Sequence, residues 1–316
     1  MTTYQARATG TMAAGPRSAG QPDTRIRSRY PVMVLAHNEE RHIAACLESI
    51  FTADPDLDFD VYVMANGCTD RTETIVSGYA RDRPDVHLVH IDLGDKCNAW
   101  NVFVHATVSN DAPGREAYFF MDGDARSAPG SFSAMLRALR NHPTAHAASA
   151  VPGSGRNRER DAREIVEQHG LVANLYGLRG TFVERLREAG VRIPLGLEGD
   201  DGLVGALVKW DLDPRNAKFD DLLIAPCADA RFEFEPMSLR RPADWRTYWK
   251  RAVRYGRRRY EFELLGRQLK ERGLAGMPVA IHELYGGAQT LRLRWDGVYT
   301  VPNWFALREM RRVAAL

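Results

Sequence analysis

The stretch Ala117-Tyr118-Phe119-Phe120-Met121-Asp122-Gly123-Asp124 sets five apolar or aromatic residues directly before two carboxylates separated by one glycine. The apolar run has high strand propensity and the length of a buried strand. In open α/β sheets, ligands bind beyond the carboxyl ends of the strands, so the two acids stand where chemistry is done. Carboxylates two residues apart repel each other unless a positive charge lies between them. A hard divalent cation, Mn²⁺ or Mg²⁺, carrying substrate phosphates fits that position, because Mg²⁺ takes one or two protein carboxylates plus phosphate oxygens and water. The bland alternative is an acidic turn held by Gly123.

The sequence upstream repeats the same plan. Val32-Met33-Val34-Leu35 reads as a strand running into Ala36-His37-Asn38-Glu39-Glu40, followed by Ile43, Leu47 and Ile50 at helical spacing. Phe59 to Met64 is a second strand, ending in Asn66-Gly67-Cys68-Thr69-Asp70 before a helix with Thr69 or Asp70 as N-cap. Val86 to Ile91 is a third, followed by Gly94-Asp95-Lys96 and a helix bearing Trp100, Phe103 and Val104. This alternation implies crossover units and a largely parallel sheet with helices on both faces, an α/β fold. Four strand ends therefore carry polar clusters to one edge of the sheet. None has the G-x-G-x-x-G or Walker pattern of a dinucleotide fingerprint or P-loop.

Beyond Asp124, a helix is expected over Ser131 to Arg140, a strand over Ala145 to Val151, and a helix over Ile165 to Tyr176. Glu198-Gly199-Asp200-Asp201 leads into the apolar residues Leu203, Val204, Leu207 and Val208. Short strands over Leu222 to Ala225 and Arg231 to Phe234 close the domain near Pro236. From Leu239 to Arg272 there are 12 Lys or Arg against 4 Asp or Glu. The aromatic series Trp245, Tyr248, Trp249, Tyr255 and Tyr260 reads as helix packing, leaving the arginines to face an anionic acceptor or a pyrophosphate. Strands over Leu291 to Trp295 and Gly297 to Val301, then a final helix, complete the chain.

At 316 residues, 44% hydrophobic and 27% charged, the chain has the composition of a soluble enzyme. Residues 1–28 hold almost no large apolar groups and read as a disordered tail. The organisation expected is this tail, a catalytic domain over 29–236, and a basic, aromatic, mainly helical extension over 237–316. The four cysteines, Cys46, Cys68, Cys97 and Cys227, have neither CxxC nor metal-ligand spacing and suit reduced thiols. No apolar run approaches a membrane span and the first thirty residues lack a signal-peptide core, so a cytoplasmic protein is expected, with peripheral contact at the inner membrane face left open.

The order of these motifs resembles the family-2 glycosyltransferases of the GT-A fold over about residues 30–260. Ala36 to Glu40 resembles the family's nucleotide-contacting segment after the first strand, and Asn66 to Asp70 its Asp-Gly-Ser-Thr-Asp loop, with Asn66 for aspartate and Cys68 for serine. Lys96, Asn98 and Asn101 resemble its Lys-x-x-Ala-x-Asn element, and Asp122-Gly123-Asp124 its DxD metal motif. Asp200-Asp201 resembles the Glu-Asp pair whose aspartate is the catalytic base. Arg251-Ala252-Val253-Arg254-Tyr255 is distantly similar to the acceptor-side Gln-x-x-Arg-Trp element.

The resemblance implies a metal-dependent, inverting transfer from a nucleotide-diphosphate sugar to an acceptor hydroxyl on a saccharide, lipid-linked or small molecule, with no nucleic acid partner. It implies Asn38, Glu39, Asn66, Asp70, Lys96, Asp122, Arg251 and Arg254 as donor contacts, Asp122 and Asp124 as metal ligands, and Asp201, with Asp200, as the catalytic pair. His282 is left open as a further metal ligand. A sugar-nucleotidylyltransferase is a rival, but it would want a glycine- and arginine-rich loop after the first strand, which Ala36 to Arg41 does not supply. A non-enzymatic module binding anionic surfaces through residues 239–272 is the other rival; it would leave the acids at four strand ends without a purpose.

Overall fold

The structure is a computed structural model that describes residues 29–108, 114–235 and 242–315. The tail expected over 1–28 and the domain boundary near Pro236 lie outside the described residues. The first half is built as its apolar periodicity predicts: β1 (Tyr30–Ala36), α1 (Ile43–Ala53), β2 (Phe59–Asn66), α2 (Thr72–Asp82), β3 (Val86–Ile91), α3 (Lys96–Val102) and β4 (Ala117–Asp122). One π-helical turn, Phe103–Thr107, extends α3. β1 pairs in parallel with β2 and with β4, and β2 in parallel with β3. The carboxyl ends of these four strands consequently share one edge.

The second half continues with β5 (Ala125–Ser127), α4 (Ser131–Asn141), β6 (Ala147–Ser149), β7 (Val151–Pro152), α5 (Arg158–Glu167), β8 (Leu175–Arg179), α6 (Gly180–Glu188), α7 (Asp200–Lys209), β9 (Ile224–Ala225) and β10 (Arg231–Phe234). Two helices, α8 (Pro242–Arg272) and α9 (Thr300–Val313), dominate the rest. The main sheet has the order β3-β2-β1-β4-β8-β6-β9, and a small sheet has the order β5-β10-β7. Because strand side chains alternate between faces, two cores form. Val32, Val34, Val61, Val63, Phe119 and Met121 pack on one side with α1 and α4. Met33, Met64, Tyr118 and Phe120 pack on the other with α3, α6, α7 and the C-terminal helices.

Three expectations fail. The helix expected over Ile165 to Tyr176 is α5 ending at Glu167, a break at His169 (φ 49°), and β8. The apolar residues of β8 are buried because the strand lies antiparallel between β4 and β6. That neighbourhood is non-local, and four-residue spacing alone cannot reveal it. Ala145 to Val151 divides into β6 and β7, which belong to different sheets. The strands expected over 291–301 are absent among the described residues. A strand needs a paired edge, and here the neighbours are helices: Arg294 N donates to Tyr260 Oη of α8, and Asn303 Nδ2 of α9 donates to Arg294 O.

Phe120 is the centre of the second core. Its ring stacks on Tyr176 at 4.7 Å and 3°, meets Phe103 edge-on at 5.5 Å, and lies 6.0 Å from Trp100. Trp100 Nε1 in turn donates to Tyr176 Oη at 3.0 Å. Phe120→Ala removes this shared surface and leaves a cavity, so it should destabilise the protein by about 3–5 kcal/mol. A urea titration followed by circular dichroism checks it; a midpoint within error of the parent would show that the cluster can collapse around the smaller residue.

Candidate active site

At the carboxyl edge of the sheet lies a cavity of about 730 Å³. Its wall combines Gly94 to Cys97, Asp122 and Asp124, Ala173 and Asn174, Gly196 to Asp201, Phe234 and Glu235, and Arg251, Arg254, Tyr255, Arg257 and Arg258 of α8. The acids of the first half thus meet the bases of the second across one space.

Lys96 opens α3, where Asp95 caps the helix by accepting from Asn98 N at 2.8 Å. The lysine reaches back across the strand ends. Its Nζ donates to Asp122 Oδ1 at 3.1 Å and lies 3.2 Å from Asp200 Oδ1. Burial works against the ammonium, but the carboxylates of Asp122, Asp200 and Asp201 outweigh it and hold its pKa well above the usual range. Asp200 is buried, and burial pushes its carboxyl up while Lys96 pulls the other way. Asp201 pairs with Arg258 at 3.3 Å, and Glu198 pairs with Arg254 at 2.8 Å.

The local backbone makes these placements. Gly199 caps α7 at φ 92°, a left-handed turn that favours glycine, and directs Asp200 and Asp201 into the first helical turn, where the dipole suits negative charge. Gly123 donates its N–H to Leu35 O at 2.7 Å; a Cβ there would stand 2.8 Å from that oxygen. A glycine between the two aspartates is therefore what lets β4 end tightly against β1. Behind α8, buried Glu261 accepts from Glu198 N at 2.9 Å and from Tyr285 Oη at 2.5 Å, tying the 198–201 loop to the C-terminal region.

Of the donor contacts expected from sequence, Lys96, Asp122, Arg251 and Arg254 line the cavity, as do the expected metal ligands Asp122 and Asp124 and the expected catalytic pair Asp200 and Asp201. Asn38, Glu39, Asn66 and Asp70 are not in its wall. Asn38, Asn66 and Asp70 bind the loops that frame it, and Glu39 pairs with His42 one turn on. Asn38, at φ 58°, accepts from Thr69 N at 2.7 Å and Asp70 N at 3.3 Å. Asp70 accepts from Thr72 N at 2.9 Å and Glu40 N at 3.0 Å, and buried Asn66 accepts from Asp95 N at 2.9 Å. His282 is exposed on a 3-10 helix and does not line the cavity.

Other wall residues went unread. Arg257 and Arg258 are hidden in the run Arg257-Arg258-Arg259, where nothing in the sequence says which arginine turns inward. His42 also escaped. It hydrogen-bonds Glu39 Oε2 at 2.9 Å through Nδ1, with Glu235 3.5 Å from Nε2, and these bonds raise its pKa despite burial. The Glu39-to-His42 spacing of one helical turn was the available signal.

Asp122 and Asp124 fit a divalent cation. Burial, then the charge of Asp122, raises the pKa of Asp124, a repulsion that a dication would relieve. Among the described residues no group of three or more His, Cys, Asp or Glu forms a complete shell. The remaining ligands would be phosphate oxygens and water, the coordination Mg²⁺ favours.

Residues 32–192, just over half of the chain, match the glycosyl transferase family 2 profile. No curated protein matches the chain significantly. Among solved structures, the mannosyltransferase PcManGT from Pyrobaculum calidifontis, in complex with GDP-Man and Mn²⁺, is 17% identical with a TM-score of 0.54, over 91% of this chain and 86% of its own. Residues 1–349 of S. aureus TarS in complex with UDP-GlcNAc are 14% identical with a TM-score of 0.46, over 91% and 90%. The glucosyl-3-phosphoglycerate synthase of Mycobacterium tuberculosis in complex with phosphoglyceric acid is 16% identical with a TM-score of 0.46, over 79% and 81%.

Lys96→Met would leave buried Asp200 facing Asp122 with no cation between them. The expected loss is about 1–3 kcal/mol at neutral pH, the cost of an unsatisfied buried group. In the variant the folded-state pKa of Asp200 rises further, so the deficit should shrink as pH falls toward the unfolded carboxylate value. Urea titrations at pH 4.5 and 7.5 compare the two; a deficit that is constant or grows on acidification would contradict the bridge.

Proposed function

The chain belongs to glycosyl transferase family 2, and from that premise we propose that this glycosyltransferase is metal-dependent and inverting, and uses a nucleotide-diphosphate sugar. The observation that carries the proposal is the convergence of Asp122, Asp124, Lys96, Asp200, Asp201, Arg251 and Arg254 on one cavity. Asp122 and Asp124 would hold Mn²⁺ or Mg²⁺, which would neutralise the pyrophosphate and the charge that grows on the leaving nucleotide. The mannosyltransferase PcManGT, of similar fold and solved with GDP-Man and Mn²⁺, supports this choice of donor class and metal.

In this reading Lys96 and the α8 arginines add fixed positive charge beside the phosphates, set in place before the donor arrives. Asn38, Glu39, Asn66 and Asp70 act on the donor mainly through the loops they hold. Asp201 is the base that takes the acceptor hydroxyl's proton while that oxygen attacks the anomeric carbon from the face opposite the leaving group. Arg258 orients its carboxylate. Asp200, bound to Lys96, positions the cation instead. Inversion is supported by the resemblance of Asp200-Asp201 to the family's catalytic pair. Residues 29–236 form the catalytic domain in this proposal, and 237–316 complete its acceptor side.

Asp122→Ala and Asp124→Ala should each abolish the metal dependence of donor binding while the protein stays folded. Calorimetric titration with nucleotide sugars, with and without Mn²⁺, is the measurement; metal-dependent affinity retained in both variants would remove the aspartates from the metal site. Asp201→Asn keeps the shape but cannot take a proton. It should lower kcat by about 10²- to 10⁴-fold with donor affinity nearly unchanged, and Asp200→Asn should be milder. Steady-state turnover separates them. A dead Asp200→Asn beside an active Asp201→Asn would move the base by one residue, and full activity in both would place it elsewhere.

A further inference from the structure

Of the aromatic residues of α8 expected to pack, Tyr260 is buried in the core, whereas those from Trp245 to Tyr255 are not. No described side chain from Trp245 to Tyr255 is buried, although α8 is 31 residues long. Trp245 is 64% exposed. Trp249 meets Phe305 of α9 edge-on at 5.4 Å, and Phe305 meets Trp304 at 4.8 Å, so the two helices share an aromatic cluster at the protein surface. α9 is apolar on two sides. Pro302, Ala306, Leu307 and Met310 face inward, whereas Val301, Trp304 and Phe305 face out. The turn leading into it adds Trp295 and Val298, at 85% and 84% exposure. A soluble helix normally presents a polar outer face, and an apolar surface of this extent marks a contact site.

Charge identifies the contact. Residues 242–316 hold 15 Lys or Arg against 7 Asp or Glu, a net +8, whereas the preceding 241 residues carry a net −6. Arg246, Lys250, Arg308 and Arg312 make no ion pair among the described residues, and Arg308 lies 5.2 Å over the Trp304 ring. Tryptophans among unpaired arginines match the interface of an anionic bilayer: the indoles sit at headgroup depth and the cations meet lipid phosphates. A protein partner would have to be both strongly acidic and apolar, and a second copy of this chain would oppose cation to cation.

We propose that the outer face of α8 and α9, centred on Trp249, Trp304 and Phe305, docks on an anionic lipid bilayer. No described helix is long and apolar enough to cross a membrane, so the contact is at the surface. Its consequence is positional. Arg251, Arg254 and Tyr255 of the cavity wall follow Trp249 within six residues, about 9 Å along the helix axis. Docking therefore holds the cavity beside the headgroup layer.

Flotation of the full chain with vesicles of phosphatidylcholine alone, and with 30% phosphatidylglycerol added, tests the proposal. At about 0.1 M salt, partitioning to the anionic vesicles should be at least ten-fold stronger. Trp249→Ser combined with Trp304→Ser should reduce it at least ten-fold while circular dichroism shows the chain still folded, since neither side chain is buried in the core. Arg246→Gln, Lys250→Gln, Arg308→Gln and Arg312→Gln combined should erase the preference for anionic lipid. Glycerol phosphate at millimolar concentration should not compete; competition would show that the cations form a site for free anions. Absence of flotation, or flotation undiminished in both variants, would overturn the proposal. So would a dimer in sedimentation velocity that the double tryptophan variant abolishes, because the face would then belong to a second copy.

Discussion

The ammonium of Lys96, suspended between Asp122 and Asp200, is the contact on which the site depends. It joins the end of a central strand, the start of α3 and the start of α7 through one charge. Neither carboxylate could sit there alone, because a buried or half-buried charge without a partner costs several kcal/mol. The lysine does not neutralise the whole cluster. Asp124 and Asp201 still add negative charge at the same cavity, and the pKa of Asp124 is raised by burial and by Asp122. The protein therefore folds with excess negative charge on one wall, balanced only across the cavity by the arginines of α8.

That arrangement is strained in a useful direction. In the proposed reaction, a cation at the aspartates and a diphosphate toward Lys96 and the arginines would together complement the two walls. Preorganised charge of this kind costs little to reorganise when the reaction occurs. Stability is supplied elsewhere, by the aromatic stack of Phe120, Tyr176, Trp100 and Phe103 beneath the strand ends. The glycines at 123 and 199 convert that packed platform into a precise edge, one by close approach and one by its left-handed backbone.

The C-terminal quarter serves both sides of the molecule. Its inner surface is tied to the 198–201 loop by Glu261, Tyr285 and the Arg254–Glu198 pair. Its outer surface is apolar and cationic. One long helix can do both because residues a few positions apart on α8 point in different directions. The positive charge that closes the cavity and the positive charge that would meet lipid thus come from the same short segment.

The strand–loop–helix units of the first half were legible in the sequence because each is a local pattern: an apolar run, a polar strand end, an apolar helical stripe. Parallel crossovers then force Lys96, Asp122 and Asp124 toward one edge, so their meeting could be foreseen. What only the tertiary structure decided was non-local. The helix expected over Ile165 to Tyr176 stops at Glu167, and Leu175 to Arg179 become a strand because β4 and β6 offer edges on either side. That Asn38, Asn66 and Asp70 each tie one strand-end loop to another was also not legible, because the partners are distant in sequence. Which of three consecutive arginines pairs with Asp201, and that Trp245 and Trp249 face solvent rather than a core, depend on where α8 lies against α7 and α9. A sequence states which side chains are apolar or charged; only the packing of distant elements determines what each of them faces.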